Sequence, residues 1–546
     1  MRKLWHVAPT DLSVVEALSR AASIHLLTAR CLFNRGITVP SEAVRFLNPA
    51  DFPHPAASPM PAFARLVDRL QQAITAREPI VIFGDSDVDG LSASVILYEA
   101  IERCGGIVRA VQSNRIEGGY GIPDSLVDEL CASACRVVVL EDCGTNQPEA
   151  VSRLQAQGMD VLIVDHHVPL EGAAQPFAML NPFCESGTQW RELCSAGLAF
   201  QVACALLKDF PESDPLSFID LAALASLADY SPIRGENRRI LALGLPQIMA
   251  TQRPGLRRLC ADTGVTDSTP DQLIKRLIPR LNASGRLGDA SAIWHLLRSS
   301  DEGHDAWMEK AGKAHETTKH MHRQIIAQAQ EQVNRLHFKD QYVLVVSRTG
   351  WHQGLMGPLA AQLSQQYGRP AIAIAMDEEE GTGSGRSIPM LDLLEVLKGC
   401  QDVLLRFGGH SQACGLTVSS KHLEAFRLLV NQQAKAAFGV EGLVSERKID
   451  LELSLQEITP QWVEELERLA PFGQGNPRPS ALLRDVALEV QSSRIAIVRK
   501  GDAEAVVRGT LPTVSAGERY DIVVSPSITN QQVRLALIDA KRCEEP

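Results

Sequence analysis

Short apolar runs punctuate the chain between positions 80 and 164: Ile80-Val81-Ile82-Phe83, the mostly apolar 107–111, Val137-Val138-Val139-Leu140 and Val161-Leu162-Ile163-Val164. Stretches with helical spacing, such as 92–103 and 147–157, lie between them. Aliphatic runs this short, bounded by glycine and proline, make buried strands, and their alternation with helices predicts a mostly parallel sheet covered on both faces. A second alternating segment follows, with strands at 342–346 and 370–375 and a helix at 355–366 between them. Near the C-terminus come an extended stretch at 449–453, a helix at 460–469 and short alternating runs at 503–508, 521–524 and 533–537, the pattern of a small antiparallel barrel.

Residues 301–339 contain no proline, and Trp307, Ala311, Ala314, Met321, Ile325, Ala329, Val333 and Leu336 recur at the spacing of one helix face. About 30 helical residues span about 45 Å, enough to join two lobes across a cleft. Lys310, Lys313, Lys319, Arg323 and Arg335 give this helix a basic side that serves a polyanion or solvent equally well. Ahead of the first sheet the pattern predicts a helix over 12–27 and an extended proline-rich linker from Pro53 to Pro61. The expected organisation is α/β throughout the body: an N-terminal segment (1–60), a parallel-sheet domain (61–300), the connecting helix (301–340), a smaller α/β domain (341–440) and a C-terminal barrel (445–546), with a linker near 439–446.

A chain of 546 residues exceeds one compact core, which agrees with several domains. The net charge of −11 excludes a general polyanion-coating protein and confines any nucleic-acid surface to a local basic groove. Twelve cysteines without a Cys-x-x-Cys pair, and a start (Met1-Arg2-Lys3-Leu4-Trp5-His6) without an apolar core, predict reduced thiols in a cytoplasmic protein rather than a zinc site or a secreted scaffold. No apolar stretch approaches a membrane span.

The chemistry gathers where the strands end. Asp85, Asp87 and Asp89 alternate directly after the first run, and like charges so close repel one another unless a cation or a raised pKa neutralises them. An EF-hand is excluded: the twelfth position from Asp85 is Ile96, not glutamate, and a strand precedes the loop. Glu141-Asp142-Cys143-Gly144 follows the third run, Asp165-His166-His167 follows the fourth, and Asp229 follows the apolar helix 218–228. Singly these read as an acidic turn, a core histidine and a helix end. Ligands of an open parallel sheet sit beyond the carboxyl ends of its strands, so the clusters predict one shared metal site. Carboxylates with one or two imidazoles suit Mn²⁺ or Mg²⁺ better than zinc. Gly381-Thr382-Gly383-Ser384-Gly385-Arg386 and Arg406-Phe407-Gly408-Gly409-His410 read as glycine-rich loops that let backbone N–H groups and arginine approach an anion.

Asp165-His166-His167, together with Asp85-x-Asp87-x-Asp89-Gly90, Asp142-Cys143-Gly144 and Ala228-Asp229, resembles the DHH phosphoesterase superfamily. Pro279-Arg280-Leu281-Asn282-Ala283-Ser284-Gly285-Arg286 and Glu117-Gly118-Gly119-Tyr120-Gly121 narrow the likeness to its single-strand-specific exonuclease branch, the RecJ family. The resemblance implies DHH, DHHA1 and OB-type domains, the last including Pro471-Phe472-Gly473-Gln474-Gly475-Asn476-Pro477. It also implies a 5′-to-3′ exonuclease, active in DNA repair and recombination, that uses two Mn²⁺ or Mg²⁺ ions to hydrolyse single-stranded DNA to mononucleotides. The implied ligands are Asp87, Asp89, Asp142, His166 and Asp229, with Asp142 as the bridge. His167 would contact the scissile phosphate, and Asp165 would orient by hydrogen bonding. Arg115, Arg280, Asn282, Arg286, Ser384, Arg386 and His410 are the implied substrate contacts, with Ser384, Arg386 and Arg115 around a terminal 5′ phosphate. A monomer is expected, with a single-strand-binding protein and a helicase as candidate partners. The chain departs from the family at Phe83, where many relatives carry histidine, which leaves Asp85 as a substitute ligand, and at Ser86 and Tyr230-Ser231. The rival readings are a DHH phosphodiesterase of oligoribonucleotides, cyclic dinucleotides or pyrophosphate, and a non-catalytic nucleic-acid-binding relative.

Overall fold

A computed structural model describes residues 2–51, 60–185, 188–210, 212–300, 303–336, 338, 341–439, 444–511, 518–529 and 532–543. The strands, in chain order, begin with β1 (Arg2–Val7), which belongs to the far end of the molecule. The first sheet follows: β2 (Pro79–Gly84), β3 (Ile107–Gln112), β4 (Val137–Glu141), β5 (Asp160–Val164) and β6 (Ala178–Leu180). All pair in parallel, in the order β3-β2-β4-β5-β6. The period-2 pleat sorts the residues cleanly. Ile80, Ile82, Val137, Val139, Leu162 and Val164 enter one core, under the helices Val88–Arg103 and Ser195–Leu206. Val81, Phe83, Val138, Leu140, Val161 and Ile163 enter the other, under Asp124–Cys131 and Pro148–Ala156. Strand order reverses between β2 and β4, so a crevice opens there at the carboxyl ends.

The helix His304–Asn334 has 31 residues, about 46 Å at 1.5 Å per residue. Four of the five cations on its basic side have acidic partners: Lys313 pairs with Glu309 at 2.6 Å, Lys319 with Glu316 at 3.5 Å, Arg335 with Glu331, and Lys310 with Asp289 at 2.5 Å. Beyond it β7 (Leu344–Thr349), β8 (Ala371–Met376), β9 (Glu380–Arg386), β10 (Arg406–His410) and β11 (Ala413–Ser419) form a sheet ordered β10-β11-β9-β8-β7. The two expected glycine-rich loops are therefore strands. The glycines of β9 serve close packing: a β-carbon at Gly381 would lie 2.3 Å from the Met376 sulfur, and one at Gly385 2.6 Å from Leu393.

β12 (Val444–Ile449) pairs in parallel with β1. Then come β13 (Leu451–Glu452), β14 (Ala481–Ser492), β15 (Ile495–Lys500), β16 (Ala503–Arg508), β17 (Arg519–Thr529) and β18 (Gln532–Arg542). β14-β15-β16-β18-β17 close on themselves through β14–β17, with β16 and β18 parallel, which is a five-stranded Greek-key barrel of OB type. The N-terminal segment is part of this unit: Leu18, Leu32 and Ala43 share one core with Trp462, Leu466 and Ile522. The expected single helix over 12–27 breaks at Ser23, whose left-handed φ of 50° caps Leu12–Ala22 before Leu26–Asn34 begins. The linker at 53–61 lies outside the described residues up to 59, and Pro61 opens the helix Pro61–Ala76. Of the linker at 439–446, 440–443 lie outside the described residues and 444–446 belong to β12.

Arg238 joins the two ends to the first sheet domain. Its buried guanidinium donates to the carbonyls of Phe46, Arg468, Leu469 and Ala470 and lies 3.7 Å from the Phe46 ring centroid. Burial pushes its pKa down to about 9. Among the described residues no helix is long and apolar enough to cross a membrane.

Candidate active site

Every strand of the first sheet delivers a polar group to the crevice. After β2, Asp87 caps the helix Val88–Arg103, accepting from the N–H groups of Asp89 at 3.1 Å and Gly90 at 3.3 Å. Asp89 lies within that helix's first turn and points at another helix start: its two oxygens accept from the N–H groups of Ser195 at 2.9 Å and Ala196 at 2.8 Å. Those positive helix ends are what make a buried acid tolerable there. After β4, Asp142 adopts a left-handed φ of 62° and accepts from the Ser195 hydroxyl at 2.9 Å. After β5, Asp165 gathers the N–H groups of Thr145, His166 and His167 and the His167 Nδ1 at 2.7 Å. After β6, Asn181 donates to the His167 carbonyl at 2.9 Å.

His166 is the hub. Its Nε2 lies 3.3 Å from Asp142 and 3.7 Å from Asp89, and its Nδ1 lies 3.9 Å from Asp229. Burial alone would lower its pKa, but Asp142, Asp229 and Asp89 outweigh it and hold the imidazole well above its ordinary value. Asp142 is pushed up to about 7 by burial and by repulsion from Asp89 and Asp87. Asp229 rises to about 6, burial and the Asp89 and Asp87 charges exceeding the pull of His166. Asp87 is raised by burial and by Asp89. Asp165 goes the other way, because its hydrogen bonds from His167 and Thr145 overcome burial. Acids that repel one another in a buried crevice form a cation site. Ligand atoms of Asp142, His166 and His167 lie within 4.8 Å of one another, as do those of Asp85, Asp87 and Asp142. Asp142 is common to both groups. The oxygen-rich donor set fits Mn²⁺ or Mg²⁺.

A cavity of about 630 Å³ opens beside the acids, lined by Ser86, Asp87, Arg115 and Tyr120 from the first domain, Asn282 and Arg286 ahead of the long helix, and Gln353, Ser384 and Arg386 from the second domain. Burial holds the Arg286 and Arg386 guanidinium groups below their usual range, and Arg386 adds to the shift at Arg286. An anion would relieve both. Arg386 bonds Ser384 Oγ at 3.1 Å. His410, at the end of β10, stacks on His167 at 6.1 Å between ring centroids. The two lobes meet where Gln353 donates to the Ile116 carbonyl at 3.3 Å.

One expected site residue sits differently. Arg280 faces away from the cavity: its buried guanidinium donates to Asp262 at 2.7 Å and to the Ala311 carbonyl at 3.2 Å, tying its helix to the long one. Asp85 lies with Asp87 and Asp142 in a candidate ligand group, and is also clasped by Arg115 on both oxygens and by Ser113 Oγ at 2.6 Å, which brings Arg115 to the rim. Phe83 lies in the apolar core beside Leu140. The sequence reading missed Ser195, whose only signal is a small polar residue opening an apolar helix. It also missed the role of Tyr120, whose hydroxyl reaches the Asp142 carbonyl at 3.1 Å and the His167 Nδ1 at 3.0 Å.

Acids and an Asp-His-His at the switch point of a parallel sheet, facing a second α/β lobe, are the arrangement of the DHH class. Models of the DHH family N-terminal domain, the DHHA1 domain and the RecJ OB domain match residues 79–226, 340–436 and 449–503. The single-stranded-DNA-specific exonuclease RecJ of Dickeya dadantii is 32% identical over 452 residues, covering 76% of each chain. RecJ of Bacillus subtilis is 30% identical over 492 residues, which are 89% of this chain and 62% of that protein. The crystal structure of Thermus thermophilus RecJ in complex with Mn²⁺ superposes with a TM-score of 0.86 at 25% identity, covering all of this chain and 80% of the other. This chain belongs to the RecJ family, and spans about three fifths of the length of the Bacillus relative.

Proposed function

We propose that the protein is a metal-dependent exonuclease that hydrolyses single-stranded DNA from its 5′ end to mononucleotides, in DNA repair and recombination. One observation carries this reading: Asp87 and Arg115 lie at the acid cluster and line the arginine cavity at the same time, so a phosphate chain gripped in the cavity runs past the metal ligands. Asp87, Asp89, Asp142, His166 and Asp229 would hold the ions, Asp142 being common to both candidate ligand groups. When bound, a pair of Mn²⁺ or Mg²⁺ ions supplies an activated water and charge neutralisation for in-line displacement. Arg115, Arg386 and Ser384 receive the terminal 5′ phosphate, whose charge the planar guanidinium fork fits. Arg286 and Asn282 flank the strand, and His410 closes over it. His167, its Nδ1 engaged by Asp165, offers Nε2 to the phosphate undergoing attack.

The working units in this proposal are the N-terminal segment (1–60), the first sheet domain (61–300), the connecting helix (301–340), the second domain (341–440), and a barrel (445–546) that shares its core with the N-terminal helices between Leu12 and Leu47. One chain supplies both walls of the cavity and acts as a monomer. A single-strand-binding protein that presents the strand and a helicase that generates it are the proposed partners. The twelve unpaired thiols favour the reducing cytoplasm. The test is turnover with Mn²⁺, and none in EDTA, on single strands beside blunt duplex, a short RNA and pyrophosphate. Preference for the short RNA or pyrophosphate would replace this reading with that of a small-substrate phosphodiesterase, and binding without turnover would replace it with that of a binding protein.

A further inference from the structure

The helix Ile219–Ala228 ends with two bonds that close its last turn: Ser231 N–H to the Ser226 carbonyl at 3.0 Å and Tyr230 N–H to the Leu227 carbonyl at 3.2 Å. This closure forces the intervening residue into the left-handed region, where glycine or asparagine is the low-strain occupant. Tyrosine stands there instead, at a φ of 55°. A β-carbon in that conformation crowds the following carbonyl, and a bulky residue adopts it only where something holds it. The two backbone bonds hold it there, and among the described residues its side chain adds no bond of its own. Tyr230 is 64% exposed.

Its neighbours fix its place. Asp229 directly precedes it, with Oδ2 held by Ser231 Oγ at 3.1 Å and facing His166. Three residues on, Ile233 N–H donates to the Gln474 carbonyl at 2.8 Å, and Gly473 and Gly475 of the same loop pack against Ile233 and Pro232. Tyr230 thus sits in the short stretch between Asp229, at the acid cluster, and Ile233, tied to the barrel domain, and it is not among the residues that line the arginine cavity.

We propose that Tyr230 is a stacking platform for one nucleobase of the strand that continues from the acid cluster toward the barrel. The proposal rests on the exonuclease reading and adds a binding subsite to it. Every base has a π-face, so an aromatic platform holds a strand without choosing its sequence.

The test places 2-aminopurine at successive positions of a 5′-phosphorylated single strand and records its fluorescence on binding to the full chain, in EDTA and in Ca²⁺. Wild type and Tyr230→Trp are expected to quench the probe most at one internal position, and Tyr230→Asn to lose that quench. Long-strand affinity should fall about tenfold in Tyr230→Asn, within the roughly 5- to 150-fold that one stacked base supplies. Asparagine tolerates the left-handed backbone, so the variant's thermal midpoint should equal or exceed that of wild type, which separates lost stacking from lost folding. The same quench in wild type and Tyr230→Asn, with the strand still bound, overturns the platform and leaves the exonuclease reading standing. No binding of any single strand by wild type overturns both.

Discussion

Replacing Asp142 by asparagine should stabilise the metal-free protein while abolishing hydrolysis. Burial and the charges of Asp89 and Asp87 push the Asp142 carboxyl from 3.8 up to about 7. A carboxyl that holds its proton more tightly in the fold than in the unfolded chain makes the fold lose stability as pH rises from about 4 to about 7, and the whole loss is present above that. About three pH units at about 1.4 kcal/mol each amount to on the order of 4 kcal/mol. Burial is the larger cause and the repulsion is shared with Asp89 and Asp87, so removing this one carboxyl is expected to recover about 2 kcal/mol. For a lobe of about 200 residues that is a rise of roughly 4–8 °C in thermal midpoint. Asparagine keeps the rest of the geometry, since it tolerates the φ of 62° and its carbonyl still accepts from Ser195 Oγ. The assay is thermal unfolding of both proteins in EDTA at pH 5 and pH 8, repeated with Mn²⁺. An excess in the variant's midpoint that is small at pH 5 and larger at pH 8, and a Mn²⁺-induced rise far larger in wild type, are expected. A wild type as stable as the variant at pH 8 in EDTA would refute the reasoning, because the acids would then not repel.

Three further perturbations separate the parts of the site. Gly354→Ala places a β-carbon 2.1 Å from the Arg286 carbonyl oxygen, which must push the lobes apart; kcat/KM on single strands should fall at least about tenfold, while Mn²⁺ still raises the thermal midpoint as in wild type. Arg238→Met leaves the carbonyls of Phe46, Arg468, Leu469 and Ala470 without their donor; limited proteolysis should then cut between the first sheet domain and the barrel, with about 3 kcal/mol or more of stability lost. Arg386→Ala should weaken strands bearing a 5′ phosphate by about tenfold or more and leave 5′-hydroxyl strands nearly unchanged; equal losses on both would remove the 5′-phosphate pocket.

Much of the catalytic sheet was legible because its strands are buried on both faces, so β2, β4 and β5 read as unbroken apolar runs, and their acids follow at once. β6 was not legible, since its three residues carry no period. β9 and β10 read as loops because glycine looks like freedom in a sequence, whereas at Gly381 and Gly385 it answers to neighbours from elsewhere in the chain. The association of the N-terminal helices with the barrel is likewise long-range, carried by Leu18, Leu32 and Trp462. Cutting the chain near Glu446 would strip those N-terminal helices of their core, so point changes on the barrel surface are the better probe of its part in binding. At the site, the charged groups announced themselves through spacing, while Ser195 and the turning away of Arg280 depend on partners that no local pattern encodes.

The central claim is that the arginine cavity receives a 5′ end and feeds the strand past the acids in one direction. A time course with Mn²⁺ on single strands carrying a 5′ phosphate and a label at either the 5′ or the 3′ terminus tests it most directly. The 5′ label should leave as a mononucleotide at the outset, the 3′ label should stay on shortening strands until late, and blunt duplex should survive. Early release of the 3′ label, or internal cuts that leave both labels on mid-length fragments, would contradict it.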